Sequence, residues 1–220
     1  MKRIFLISAL FVSLSVSAQY TPFNPDAVTS ATQQASSKDA QTPKAKPKKA
    51  KPAKPVMMIK EKYAAGSCPE VDGKVVWSKT FSCAPLTAQQ IYDRMIAFLQ
   101  EYCKQEGKDP VSKIAIVNRE KHEIGARISE YVTFREGLLR DRALLNYTLR
   151  VNCFDGKCEV IMNNMSYTYD SKFPAEEMLL DKNALNKTQT KFNKGGYEKF
   201  RTKTIDTKDA LMAQIETALK

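Results

Sequence analysis

From Val75 onward, apolar and polar positions alternate with two distinct periods, and the elements can be read from them. In "KVVWSKTFSC", Val75, Trp77 and Phe81 share one face at period two, interrupted by Lys79, which predicts a strand. Pro85 and Thr87 then open a helix. Thr87 is placed as its N-cap, with Gln90 three residues on completing a capping box. Ile91, Met95, Phe98, Leu99 and Tyr102 follow as one stripe of a helix running to about Glu106. "SKIAIVNRE" predicts a strand with Ile114 and Ile116 inward. "EIGARISEYVTF" predicts a longer one, with Ile124, Ala126, Ile128, Val132 and Phe134 on one face and Arg127, Ser129, Tyr131 and Thr133 on the other. "ALLNYTLRVNC" and "CEVIMNNMSYTY" are two further strands joined by "FDGK", and Asp-Gly between alternating runs signals a hairpin.

If Asp155 and Gly156 form the turn, the register is fixed. Phe154 faces Lys157, Cys153 faces Cys158, Val151 faces Val160 and Leu149 faces Met162 on a core face. Asn152–Glu159, Arg150–Ile161, Thr148–Asn163 and Asn146–Met165 form the opposite, mostly polar face. Residues 171–205 are less regular: the stretch from Pro174 starts helically, and Gly195 and Gly196 interrupt the segment downstream of it. "TIDTKDALMAQIETALK" closes the chain as a helix capped by Asp206 or Thr207, with Leu211, Ile215, Ala218 and Leu219 as its stripe. The order β-α-β-β-β-β-α predicts an α+β two-layer sandwich, mainly antiparallel, with one sheet face covered by helices and the other open.

The N-terminal third is different in kind. Lys2 and Arg3 precede an apolar run from Ile4 to Val16, and Val16 and Ala18 stand at −3 and −1 of a small-residue cleavage site. The run is shorter than the ~20 residues a bilayer span needs. Residues 1–18 are therefore read as a secretory signal. No later segment is apolar enough to span a membrane. Residues 19–62 are poor in large apolar groups over most of their length and are read as a disordered linker. Within them "KAKPKKAKPAKP", Lys44 to Pro55, holds six lysines and three prolines. Such a stretch is extended and stiff, because proline fixes φ and the lysines repel one another. It serves either as a spacer or as an electrostatic tether to an anionic surface. Residues 63–220 form one domain.

Charge follows the same division. The chain carries a net +11, which falls to +9 without Lys2 and Arg3; residues 44–62 hold +7 and residues 63–220 only +3. A basic tail in the cytosol would point to nucleic acid. Beyond a secretory membrane the expected polyanions are envelope polymers and membrane head groups, so no nucleic-acid partner is expected.

Candidate chemistry is sparse. Five cysteines in an oxidising compartment favour disulfides, with Cys153–Cys158 and Cys68–Cys83 as candidate pairs and Cys103 as a buried small hydrophobe. No Cys or His spacing suggests a metal, no motif suggests a cofactor, and no catalytic residue is assigned. His122, the single histidine, falls in a turn. A cysteine-dependent enzyme would have to use it, and it is read instead as an exposed turn residue. Two surfaces remain as candidate binding sites. One is the open sheet face, with Arg127, Tyr131, Asn146, Thr148, Arg150, Asn163 and Tyr167. The other is the basic stretch from Lys182 to Lys203, represented by Lys187, Lys191 and Lys194, where Phe192, Tyr197 and Phe200 interleave with the charges. Those aromatics fit an anionic site, and equally the buried stripe of an amphipathic helix. The reading is a non-catalytic exported module that binds an anionic envelope component; a small cysteine enzyme is the alternative. A protein partner is left unnamed.

"LTAQQIYDRMIAFLQEY", "YTLRVNCFDGKCEV" and "PAEEM" followed by a Lys/Gly-rich stretch and a terminal helix, together with the leader, resemble the bacterial family called domain of unknown function 4468. The resemblance covers roughly residues 74–220. It implies a TBP-like fold and an exported location in Gram-negative bacteria, and it implies no activity.

Overall fold

The computed structural model describes residues 59–193 and 195–220. The leader, all of the linker up to residue 58, and Lys194 lie outside the described residues. A single 3₁₀ turn at Glu61–Tyr63 leads into a small hairpin of β1 (Glu70–Val71) and β2 (Lys74–Val75). Then come β3 (Trp77–Ser82), α1 (Ala88–Tyr102), β4 (Lys113–Asn118), β5 (Glu123–Arg135), β6 (Asp141–Phe154) and β7 (Lys157–Thr168). β8 (Lys172–Pro174), the one-turn helices α2 (Glu176–Leu179) and α3 (Asp181–Ala184), and the long α4 (Tyr197–Leu219) complete the chain. The main sheet runs β3-β7-β6-β5-β4, all antiparallel, with β8 paired to β7. α1 and α4 lie side by side over one face of it, giving the expected α+β sandwich.

α1 starts where its cap requires. Gln90 N–H donates to Thr87 Oγ1 at 3.3 Å, and Thr87 N–H donates to Gln90 Oε1 at 2.9 Å. These bonds satisfy amides that lack partners inside the helix. Asp155 Oδ1, from the β6–β7 turn, accepts from Ala88 N–H at 2.8 Å and ties that turn to the same helix end. Gly156 takes φ +71°, which costs glycine no side-chain clash. The predicted register holds from Phe154–Lys157 to Thr148–Asn163. Ile91, Met95, Leu99 and Tyr102 are buried as their spacing predicts.

Three expectations are corrected, each by a change of side-chain parity or helix extent. First, a bulge between Ile114 and Ile116 leaves Ile114 toward the core and turns Ile116 to the open face, 63 % exposed. One extra residue in a strand reverses the facing of all residues beyond it until pairing is restored. Ile116 lies over Gly125, where any added Cβ would meet its Cβ at 3.2 Å. Second, the β6–β7 register shifts beyond Thr148–Asn163, so Asn146 faces Ser166 and not Met165. Asn164 absorbs the extra residue at φ 52°, a conformation asparagine tolerates. Met165 and Tyr167 thereby enter the core, where Tyr167 packs against Phe173 and Phe200 and its hydroxyl lies 2.5 Å from Thr204 Oγ1. Third, α4 begins at Tyr197, so Asp206 and Thr207 lie inside it and cap nothing. Phe200, Arg201, Thr204 and Ile205 are buried and carry its inward stripe a further two turns upstream.

Candidate functional site

The sheet face away from the helices is a graded surface of hydrogen-bonding and cationic side chains, arranged in cross-strand rungs. One rung runs Lys113, Arg127, Thr148, Asn163 across β4, β5, β6 and β7. The next runs Ile116, Gly125, Arg150, Ile161, Ser78 and continues onto β3. A third holds Ser129, Asn146 and Ser166. The absent side chain at Gly125 leaves a hollow between Ile116 and Arg150, part of a cleft of about 450 Å³. A second cleft, about 520 Å³, takes in Lys113, Ser129, Asn146, Asn164 and Lys172. Arg127 and Thr148 line both.

Polar groups on this face are oriented by one another. Ser129 Oγ donates to Asn146 Oδ1 at 2.7 Å, and Asn152 Nδ2 donates to Glu159 Oε2 at 3.0 Å. Arg127 and Arg150 are exposed. Asn163 Oδ1 is buried and has no hydrogen-bond partner among the described residues. Tyr131 is 38 % exposed, with the Arg142 guanidinium 3.9 Å from its ring centre. Six of the seven predicted open-face residues therefore share this surface, and Tyr167 does not. The sequence pattern misses Lys113 and Lys172. Lys113 is two residues before the bulge that hides the parity of β4, and β8 is too short to register as alternation.

The basic stretch near the C-terminus divides. Lys182 pairs with Glu70 at 2.6 Å, and Arg201 is wholly buried. Lys199 Nζ bonds Asp141 at 2.9 Å and sits over the rings of Phe134, Tyr169 and Phe200 at 4.7–5.6 Å. Tyr169 Oη donates to the same carboxylate at 2.6 Å, and these two bonds hold Asp141 below its usual carboxylate range. Phe200 is core, as an amphipathic helix requires. Lys187 and Lys191 are exposed in the α3–α4 connection and share neither cleft with Arg127.

A second polar cluster lies on the covered side. Glu130 occupies a core-facing position of β5 and is 7 % exposed. Its Oε1 accepts from Tyr147 Oη at 2.6 Å and from Tyr102 Oη at 3.4 Å, and its Oε2 pairs with Lys108. Lys108 Nζ also sits 3.9 Å from the Tyr102 ring centre. Burial works against the Lys108 charge, yet Tyr102 and Glu130 outweigh it and hold its pKa above the usual lysine value. Burial drives the Tyr147 hydroxyl well above its ordinary pKa. The one acid in the apolar parity of β5 is the signal that could have revealed this cluster.

All five cysteines are thiols in this structure. Cys153 and Cys158 face each other in register. Cys153 N–H donates to His122 O at 3.0 Å, on the β5 side, so the two form a pair without mutual backbone bonds, where side chains approach most closely. Cys68 and Cys83 cannot pair. Val76 N–H donates to Pro69 O at 3.0 Å, which fixes Cys68 beside the start of β3, whereas Cys83 follows its end. Seven extended residues separate those points by about 23 Å, and a disulfide needs Cα atoms within about 7 Å. Cys83 instead adjoins Cys158, whose strand partner is Phe81. Burial raises the thiols of Cys83 and Cys103 and pushes Cys68 up to about 12. That disfavours a thiolate nucleophile at these three positions. His122 is half-buried, not exposed: its ring meets Tyr92 edge-on at 5.8 Å and its Nε2 lies 3.2 Å from Gln89 Oε1. Cys103 is also only half-buried.

Among the described residues no group of three His, Cys, Asp or Glu side chains could hold a metal ion, and no helix is long and apolar enough to cross a membrane.

Residues 77–168 match the family described as "Domain of unknown function (DUF4468) with TBP-like fold". Among solved structures, the chain is similar to a DUF4468 family protein from Bacteroides ovatus ATCC 8483. That match has 38 % identity and a TM-score of 0.67, and it covers 72 % of this chain and 93 % of the other. It is also similar in fold to a TBP-like protein from Parabacteroides distasonis ATCC 8503, with 18 % identity, a TM-score of 0.58, and coverage of 69 % and 96 %. No curated protein matches the chain. The antiparallel sheet, the paired covering helices and these likenesses agree: the chain belongs to the DUF4468 family, with a TBP-like fold.

Proposed function

We propose that this protein is an exported, non-catalytic binding module whose open sheet face takes an anionic, hydrogen-bonding component of the cell envelope. The supporting observation is the pair of adjoining clefts that share Arg127 and Thr148. Lys113, Arg150 and Lys172 add cations, and Ser129, Asn146 and Asn152 add hydrogen-bonding groups. Against these cations the clefts set one carboxylate, Glu123. Guanidinium forks bind carboxylate and phosphate oxygens in pairs, and a flat polar sheet suits an extended polymer. The leader at residues 1–18 supports export, and the lysine-rich linker supports attraction to the same surface. The assignment to envelope polymer over membrane head groups rests on the two clefts adjoining through Arg127 and Thr148, which offers an extended ligand consecutive cationic and hydrogen-bonding contacts.

The test is co-sedimentation of residues 19–220 with purified cell-wall sacculi across a salt series. Arg127→Glu with Arg150→Glu weakens binding about tenfold or more at low salt, since each lost charge-assisted bond is worth about 1.5–3 kcal/mol. Equal pelleting of variant and parent would reject the face as the site. In the exported protein, Cys153 and Cys158 close a cross-strand disulfide, leaving Cys68, Cys83 and Cys103 as thiols. Protein recovered from the periplasm then begins at Gln19, and denaturing alkylation without reduction labels three cysteines. Labelling of all five would remove the bridge.

A further inference from the structure

β4 is an outer strand of the main sheet, and among the described residues nothing pairs with its far edge. Such an edge carries unpaired N–H and C=O groups and is a template for a further strand. Natural edges are commonly blunted by lysine, bulges, proline or cover, and the first half of β4 has two of these, Lys113 and the Ile114–Ile116 bulge; its second half presents Ile116 at 63 % and Val117 at 56 % exposure.

What distinguishes the edge is its setting between two clefts on opposite faces of the sheet. Ile116 pairs with Gly125 and points to the open face, beside the hollow lined by Arg127 and Arg150. Val117 pairs with core-facing Ile124 and so points to the helix side. There, Ile114 of β4 borders a cleft of about 480 Å³, lined also by Cys103, Lys104 and Lys108. A strand added to β4 sends successive side chains alternately to one face and the other. The open face is cationic where those side chains arrive, with Arg127, Arg150 and Lys113, whereas on the helix side Lys104 pairs with Glu101 and Lys108 with Glu130.

We propose that the β4 edge receives an extended, acidic peptide segment of a partner protein as an additional sheet strand. Backbone pairing supplies the register, and the glutamate or aspartate side chains on one face of the segment enter the Arg127–Arg150 hollow beside Lys113, while the alternate side chains lie on the helix side with Ile114 and Val117. This reading shares the Arg127–Arg150 hollow with the polymer-binding reading and differs from it in requiring backbone pairing at β4, which an envelope polysaccharide does not make.

The probe is fluorescein-labelled Val-Glu-Glu-Val-Glu-Glu-Val with blocked ends, titrated onto the purified full chain by anisotropy. Amide hydrogen exchange is followed in parallel. The acidic peptide binds at least about tenfold more tightly than the same peptide with lysine for glutamate, and amides within Lys113–Asn118 slow in exchange. Alternate N-methylation of the peptide backbone abolishes both effects, since it removes the donors while keeping every charge. Lys113→Glu weakens binding several-fold; its side chain is exposed, so the fold is retained. Binding that survives N-methylation, or protection appearing outside β4, overturns the proposal. So does protection of β4 without peptide in a chain that sediments as a dimer, because the occupant is then a second copy. The Arg127→Glu, Arg150→Glu variant separates the two readings: loss of sacculus binding with β4 still protected at saturating peptide supports both, whereas absence of β4 protection in the parent chain refutes only this one.

Discussion

Replacing Arg201 with methionine lowers the thermal midpoint of the domain by roughly 6–20 °C. Arg201 is the largest fully buried side chain in the described structure, and none of its surroundings is solvent. Its Nε donates to Tyr63 O at 3.0 Å, and its Nη2 donates to Ala64 O and to Asp181 Oδ1, each at 2.7 Å. Its Nη1 donates to Leu179 O. One guanidinium thus joins the point where the linker enters the domain, the α2–α3 corner and the α4 helix. Methionine fills much of the volume and supplies no donor. Three carbonyls and a carboxylate then each lose a charged donor, with Ala64 O keeping Ser67 and Asp181 keeping the Gly66 amide, at a cost of about 3–5 kcal/mol. For a domain of this size each kilocalorie moves the midpoint by roughly 2–4 °C. Arg201→Lys recovers only part of the loss, since an ammonium on a flexible stem cannot reach the Tyr63–Ala64 carbonyls, Leu179 O and the Asp181 carboxylate at once. Circular-dichroism melts of the three proteins decide the matter, and a methionine variant within about 2 °C of the parent would mean that the clasp contributes little.

Breaking the Lys108–Glu130 pair from one side is the second large effect. Lys108→Met leaves Glu130 buried with only the Tyr147 and Tyr102 hydroxyls as donors, and urea unfolding then shows a loss of about 3 kcal/mol. Glu130→Leu strands the ammonium, which keeps only the Tyr102 ring, and costs a similar amount. The double variant loses less than the sum of the two by more than about 1 kcal/mol, because neither charge is left alone. Additive losses would mean that the pair is uncoupled. The pH dependence has a definite sign. A lysine whose folded pKa is raised contributes its stability in full below the unfolded value, about 10.4, and loses it as pH rises through the folded value. The parent therefore weakens above pH ~10.4 by an increment that Lys108→Met lacks.

Much of the fold is legible along the chain, since it is encoded in near neighbours. The Thr87–Gln90 cap, the stripe from Ile91 to Tyr102 and the Asp155–Gly156 turn each need only a few adjacent residues, and all three stand where the pattern places them. The hairpin register holds outward from the turn until the first irregularity. The failures are all failures of parity or extent. Bulges at Ile114–Ile116 and beyond Asn163 leave no mark in an alternating pattern, yet they turn Ile116 outward and Tyr167 inward. Only an unbroken strand would group Tyr167 with Arg127 and Asn146. Nearness in sequence suggests Cys68 with Cys83, while the strand between them holds them apart. The upstream half of α4 is hard to see in the pattern because Phe200 and Ile205 are mixed with Arg201 and Thr204, which look solvated until their partners are known.

By itself, then, the sequence determined the classes of element, their order, the main hairpin and the segregation of positive charge into the linker, all of which derive from backbone period, capping and composition within short windows. Only the tertiary structure decided which charges are buried and which face a ligand. Arg201 meets Tyr63 from 138 residues away, Lys182 meets Glu70 from 112, and Lys199 meets Asp141 from 58. A basic residue reads the same along the chain whether it closes a clasp, fills an aromatic cage or lines an open cleft. Its role is set by desolvation and by the groups that chain folding brings to it, and those are properties of the packed molecule.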